Sequence, residues 1–159
     1  MKFKGASATF SLLLLIGFAA VALSVRPTSI WASDARNGQL HAIKDCSGYN
    51  GAAGSHCAIQ SSSLGQMNGA TVYYDQAVGI PLNMLDTNVV LDAGNGNRAL
   101  GRCTVDFSNY PTSATGLCTF SDGTGDFAGF SARVTVSYDP NSGLWHWDGT
   151  YRFSALPPE

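Results

Sequence analysis

The sequence predicts an all-β domain, a single antiparallel barrel of about eight strands. Two runs near the C-terminus, 128–138 and 144–153, alternate between apolar and polar residues with a period of two. This alternation is typical of strands with one buried face. Charged residues make up only 13% of the chain, about half the usual share, while glycine and small polar residues are plentiful. Short strands between turn sequences favour a sandwich or a barrel, and closure would remove exposed edges from the long final strands.

The N-terminal segment, residues 1–32, is predicted to be a secretory signal peptide. It has two lysines near its start, an apolar run over 10–25 and small residues around Ala32. We therefore expect cleavage after Ala32, a barrel domain over 33–159, and a secreted or periplasmic protein that no longer contacts the membrane. A membrane anchor is the alternative, because the apolar run is only slightly shorter than the ~20 residues of a spanning helix.

The charge of the chain argues against a nucleic-acid partner. Removal of residues 1–32 takes three of the nine basic residues and none of the eleven acidic ones, which leaves a formal net charge near −5. The remaining basic residues are scattered along the sequence. They form no basic stripe of the kind that nucleic-acid binding requires.

Four cysteines follow the signal segment, and an even number in an exported chain predicts disulfides. We favour Cys46–Cys57 and Cys103–Cys118, since each pair encloses a short loop. Each disulfide would stabilise the fold by roughly 2–4 kcal/mol. The alternative is a metal site formed by Cys46, Cys57, His41 and His56. That spacing fits no zinc pattern, so we expect no metal.

The strands before the final pair are short. We expect them at 39–44, 58–63, 70–78, 88–92, 98–108 and 117–121. The strand at 70–78 has aromatic residues on both faces, which predicts burial on both sides. Pro81 confines the apolar segment 80–85 to a sheet edge or a connection. The segment 92–97 is predicted to be a hairpin turn, because glycines stand where a calcium loop needs oxygen ligands.

The last two strands can pair with their apolar faces together in two ways. Val136 lies opposite Trp145, or the strands take the equivalent register one step along. The first register brings Arg133 and Asp148 together on the outer face, as an exposed pair worth less than about 1 kcal/mol. His146 shares that outer face with Asp148. Such a pair could transfer protons, but an outward position favours a solvated polar patch.

Several segments of the chain resemble a known family. The residues GTGDFAGF at 123–130 are similar to the G-[ST]-G-x-F-x-G turn and strand of plant allene oxide cyclases and dirigent proteins. The segments CSGYNGAAGSHC at 46–57, YYDQAVGIPLNMLDTNVVLDAGNGNRALGRC at 73–103 and WHWDGTY at 145–151 resemble bacterial exported proteins with an allene-oxide-cyclase-like barrel domain. The resemblance implies an eight-stranded antiparallel barrel with an apolar cavity and no cofactor. None of the plant enzymes' polar catalytic residues aligns here, so no catalytic residue is assigned.

An eight-stranded barrel is either filled by side chains or holds one small ligand. The residues predicted to line a ligand cavity are Phe130, Tyr138, Trp145, Trp147, Tyr151 and Phe153. We expect a small apolar ligand; the alternatives are a cofactor-independent isomerase or cyclase, and a structural or partner-binding exported domain. A cavity of roughly 300 Å³ or more with an open mouth would favour binding or catalysis, whereas a barrel packed solid would exclude both and leave the surface roles. An inward carboxylate, such as Asp75 or Asp106, would favour an enzyme.

Overall fold

The computed structural model describes residues 37–80 and 82–154, so the predicted signal peptide lies outside the described residues. The strands are β1 (Asn37–Asp45), β2 (His56–Ser62), β3 (Thr71–Tyr74), β4 (Met84–Asp92), β5 (Arg98–Asp106), β6 (Thr115–Thr124), β7 (Phe130–Asp139) and β8 (Leu144–Phe153). Two single 3-10 turns, Gly65–Met67 and Gly125–Phe127, are the helical elements of these two ranges. Within the same ranges, no helix has the length and apolar character needed to cross a membrane.

The eight strands form a closed antiparallel barrel in sequence order, which confirms the predicted fold class. Each strand pairs with the next one along the chain. The barrel closes where β1 pairs with β8, from Asn37 opposite Arg152 to Lys44 opposite Trp145. Along most strands alternate residues are buried, so the core fills the inside of the barrel. Closure leaves no unpaired sheet edge.

The two ends of the barrel differ. We call the end that carries the β1–β2, β3–β4, β5–β6 and β7–β8 loops the mouth, and the opposite end the base. The base carries both 3-10 turns and the first and last described residues. Because all strands are antiparallel neighbours, every second loop meets at the same end, and residues far apart in sequence gather at the mouth.

Both predicted disulfides are confirmed. Cys46 and Cys57 join the start of the β1–β2 loop to β2. Cys103 and Cys118 face each other on β5 and β6. All four sulfur atoms are thereby used, which removes the alternative of a cysteine metal site.

Strands β3 and β4 differ from their predicted lengths. β3 ends at Tyr74 because the backbone N–H of Gln76 donates to the hydroxyl of Thr87, 2.9 Å away, instead of continuing the sheet. Tyr74 is buried, but Tyr73 is 42% exposed, so the expected burial on both sides is wrong. β4 begins earlier than predicted, at Met84, because inward alternation extends back through Thr87.

The final hairpin takes the register one step along from the first alternative. Val136 lies opposite Trp147, with the apolar faces together as predicted. The β7–β8 turn explains the choice, because Asp139 organises a four-residue loop. Its carboxylate accepts hydrogen bonds from the Asn141 backbone N–H at 2.9 Å and from the Ser142 hydroxyl at 2.7 Å.

The expected pair of Arg133 and Asp148 is wrong for the same reason. Arg133 faces Thr150 in this register, and Asp148 faces Thr135. The carboxylate of Asp148 instead pairs with Nδ1 of His41, 2.6 Å away across β1 and β8. The one-step change of register thus separates Arg133 from Asp148, whose carboxylate contacts an exposed histidine of β1.

Candidate ligand site at the mouth of the barrel

The six aromatic residues predicted to line a cavity are distributed over the length of the barrel. Tyr138 and Trp145 lie at the mouth, with ring centroids 5.0 Å apart. Phe130, Tyr151 and Phe153 lie towards the base, where Phe130 and Phe153 are 5.2 Å apart. Trp147 lies between the two groups and is fully buried. Of the six, Trp145 lines the pocket inside the barrel, and Tyr151 borders a depression against β6, β7 and β8.

Lys44 is a candidate site residue that the sequence pattern did not predict. It is the only lysine after residue 32, and it lies on β1 in phase with the buried residues Leu40 and Ala42. The residue is only 2% exposed. Its Nζ donates to the hydroxyl of Tyr74 at 3.0 Å and lies 4.2 Å from the centroid of the Trp147 ring. A cation over the face of a tryptophan ring is stabilised by the ring's negative face.

No carboxylate compensates the charge of this amine. The buried polar or charged residues in the described ranges are Lys44, Ser55 and Thr87. Burial without a counter-charge disfavours the ammonium form and lowers the pKa of Lys44 to about 7. At neutral pH about half of the Lys44 side chains are therefore neutral amines.

The phenols around the amine respond to burial in the opposite direction. Burial raises the pKa of Tyr49 to about 12. Burial, together with the neighbouring phenol of Tyr49, also raises the pKa of Tyr74. Both hydroxyls therefore keep their protons at neutral pH and can donate hydrogen bonds. The buried hydroxyl of Tyr49 has no hydrogen-bond partner among the described residues.

A small pocket lies over Lys44, inside the mouth. Its lining residues are Lys44, Cys46, Tyr49, Cys57, Tyr74, Leu85, Val105, Phe107, Val136 and Trp145. Its volume is about 20 Å³, which is room for about one water molecule. This is far below the roughly 300 Å³ that an enclosed ligand occupies. The barrel is thus packed around a narrow pocket with an amine and two phenols in its wall.

Aromatic side chains lie at the opening of this pocket, and exposed apolar side chains lie in another loop of the mouth. The Tyr110 ring lies 6.2 Å from the Trp145 ring in a stacked arrangement, and Phe107 is 5.5 Å from Trp145. Tyr110 is 51% exposed. In the β3–β4 loop, Ile80 is 88% and Leu82 is 75% exposed. Exposed apolar side chains at one end of a barrel are a candidate interaction surface.

The carboxylates and histidines considered from the sequence lie elsewhere. Asp75 and Asp106 are both exposed, so neither is the inward carboxylate that would favour an enzyme. Asp148 is exposed and pairs with His41 rather than with His146. In the described part of the chain, no group of three or more histidine, cysteine, aspartate or glutamate side chains could hold a metal ion.

The whole chain and its fold were compared with known proteins. A scan against protein-family models and searches of curated proteins and of solved structures found no match. The resemblance to allene-oxide-cyclase-like proteins therefore stays a prediction, and the residues of the site are the basis for a proposed function.

Proposed function

We propose that this protein is an exported barrel that binds a small apolar molecule at its mouth. The observation that carries the proposal is the buried amine of Lys44, which is the one buried lysine among the described residues and lies in the wall of a pocket with an aromatic opening. Ligand sites in proteins are typically apolar surfaces with a few polar groups that orient the ligand. Lys44, Tyr49 and Tyr74 supply such groups, and the exposed rim supplies the apolar surface.

The size of the pocket restricts how the ligand would bind. With room for about one water molecule, the pocket accepts one small polar group, such as a carbonyl or hydroxyl oxygen. The apolar part of the ligand would lie outside, against Tyr110, Ile80 and Leu82. Each 100 Å² of apolar surface that it covers would contribute about 2.5 kcal/mol before the cost of association. The ligand would be bound at the mouth and not enclosed at the centre of the barrel.

Export fits the chemistry of the chain. Two disulfides in a chain of this size indicate an oxidising compartment. Together with the predicted signal peptide over residues 1–32, they support a secreted or periplasmic protein. A ligand taken up at the mouth would then come from outside the cytoplasm.

Tryptophan fluorescence of the purified protein tests the proposal. Trp145 lines the pocket, so titration with 1-hexanol should change its emission in a saturable manner. Tyr110→Ser removes a half-exposed ring from the opening and should weaken hexanol binding by about tenfold, which corresponds to about 1.4 kcal/mol. Tyr73→Ser removes a similarly exposed ring from the outside of β3 and serves as the matched control. Equal affinities of the two variants, or no saturable change, would refute a ligand site at the mouth.

An isomerase or cyclase that needs no cofactor is the alternative function. One observation favours it: the amine of Lys44 and the hydroxyl of Tyr74 are 3.0 Å apart inside the pocket. A neutral amine can accept a proton and a phenol can donate one, as general acid–base catalysis requires. Incubation of the protein with a strained epoxide or a phenolic radical precursor, followed by chiral product analysis, distinguishes turnover from binding alone.

A further inference from the structure

We propose that Lys44 forms a reversible imine with the carbonyl group of an aldehyde or ketone, which makes the mouth a covalent carbonyl-binding site. The inference rests on the proposed function, since it names the chemical class of the ligand that the mouth would bind. It concerns a single atom, Nζ of Lys44, and the groups within its reach.

The position of the amine supports the imine. Nζ of Lys44 lies in the wall of a pocket that has room for one small group, and a carbonyl is such a group. The other residues that line this pocket are apolar or phenolic, apart from the Cys46–Cys57 disulfide. A carbonyl compound with an apolar chain would put its oxygen near the phenols and its chain against the rim.

The electrostatic environment of the amine also supports the imine. The residues that line the pocket around it are Cys46 and Tyr49 from the β1–β2 loop, Cys57 from β2, Tyr74 from β3, Leu85 from β4, Val105 from β5, Phe107 after β5, Val136 from β7 and Trp145 from β8, and the centroid of the Trp147 ring lies 4.2 Å from Nζ. No carboxylate or histidine is among these lining residues, so the Trp147 ring and the Tyr74 hydroxyl are the contacts that favour the ammonium form, and neither carries a counter-charge. Burial lowers the pKa of Lys44 to about 7, whereas an ordinary lysine at pH 7 is a free amine in roughly one molecule in three thousand. Desolvation of this kind is one of the ways in which lysine is activated as a nucleophile.

The reaction balances without any further reactant. The lone pair of Nζ forms a bond to the carbonyl carbon while the π electron pair moves to the carbonyl oxygen. That oxygen takes up both amine hydrogens in two proton transfers and leaves as water, and a C=N double bond remains. The hydroxyl of Tyr74 lies 3.0 Å from Nζ and keeps its proton at neutral pH, so it is positioned to assist the first proton transfer. Nothing is oxidised or reduced, and hydrolysis reverses the step.

Reductive trapping tests the proposal on the folded protein. The purified protein is incubated with hexanal and cyanoborohydride at pH 7, and the modified residue is found by peptide mapping. We expect a hexyl group on Lys44 beside the one that the α-amino group of the N-terminus acquires at this pH, and peptide mapping separates the two. An internal reference comes from the variant Arg133→Lys, which adds an exposed lysine on the outside of β7. Lys44 should be alkylated at least about ten times faster than this reference, because far more of it is unprotonated at pH 7.

A parallel titration with 1-hexanol separates the two proposals. Hexanol has the same chain but no carbonyl, so its binding reports the ligand site alone. Saturable hexanol binding without a hexyl group on Lys44 overturns the imine and leaves the ligand site intact. If hexanol does not bind and hexanal does not modify Lys44, both proposals are overturned. Modification of Lys44 no faster than that of the reference lysine also overturns the imine, since it would reflect ordinary amine reactivity.

Discussion

Substitution of Lys44 by methionine should remove a pH dependence from the stability of the fold. Methionine has nearly the same length as lysine and carries no charge. In the wild type, burial lowers the pKa of Lys44 from its ordinary value of 10.5 to about 7. Between these two pH values the unfolded chain binds a proton that the folded chain does not. The free energy of unfolding of the wild type therefore rises with pH across this window.

The size of the effect follows from linkage. One pKa unit corresponds to about 1.4 kcal/mol, so the wild type should gain about 2–3 kcal/mol of stability between pH 7.5 and 9.5. The Lys44→Met variant should show none of this gain. Above pH 10 the sign reverses, because the raised pKa values of Tyr49 and Tyr74 mean that the unfolded chain loses its phenol protons first. The measurement therefore ends at pH 9.5.

Urea unfolding of the oxidised protein at pH 7.5, 8.5 and 9.5 provides the assay. The methionine variant leaves the hydroxyl of Tyr74 without its amine partner, which costs about 1–3 kcal/mol. That cost does not vary with pH over this range, so it shifts the stability without changing its slope. The double variant Lys44→Met with Tyr74→Phe removes the cost and should have the same flat profile. If the free energy of unfolding changed equally with pH in the wild type and in Lys44→Met, the lowered pKa of Lys44 would be refuted.

Three further predictions concern the framework of the barrel. Replacing both Cys103 and Cys118 by alanine removes a crosslink between residues 15 apart in sequence and should lower the free energy of unfolding by about 3 kcal/mol in urea. Gly149→Ala should cost about 1–3 kcal/mol, because its Cβ would overlap a backbone carbonyl oxygen of β7. Gly65→Ala is the control, since a Cβ there meets nothing within 4 Å; equal losses in thermal unfolding would contradict the packing argument. Asp148→Asn should change stability by less than about 1 kcal/mol at any salt concentration, because the ion pair that it removes is exposed.

The barrel could be predicted from the sequence because its strands alternate clearly. Strands β7 and β8 each keep an apolar face over ten residues, and such a pattern fits few other structures. The disulfides could be predicted because each closes a short loop. The register of the last hairpin could be predicted only to within one step. Both registers bury the apolar faces of β7 and β8. The turn at Asp139 decides between them, and this turn depends on side-chain hydrogen bonds.

The candidate site was harder to predict, because the pattern of the last two strands indicated a cavity lined by their aromatic residues. Six such residues near the C-terminus lie on two strands that cross the whole barrel, so they cannot all surround one pocket at one end. The pocket instead combines one residue from each of many elements, which no local pattern reveals. The sequence nonetheless indicated that the side chain of Lys44 points into the barrel. The alternation of β1 gives it the same phase as Leu40 and Ala42, and no other lysine follows residue 32.

The burial of Lys44 lowers the stability of the fold, and the disulfides raise it. At pH 7 a pKa lowered from 10.5 to about 7 corresponds to a destabilisation of about 4 kcal/mol. A single domain is typically stable by only about 5–15 kcal/mol, so the amine costs a large part of that margin. The Cys46–Cys57 disulfide lies in the wall of the same pocket, and a disulfide typically contributes about 2–4 kcal/mol. An amine that only filled space could be replaced by methionine with a gain in stability. The crosslink beside it therefore contributes a stabilisation comparable in size to the cost of burying the amine.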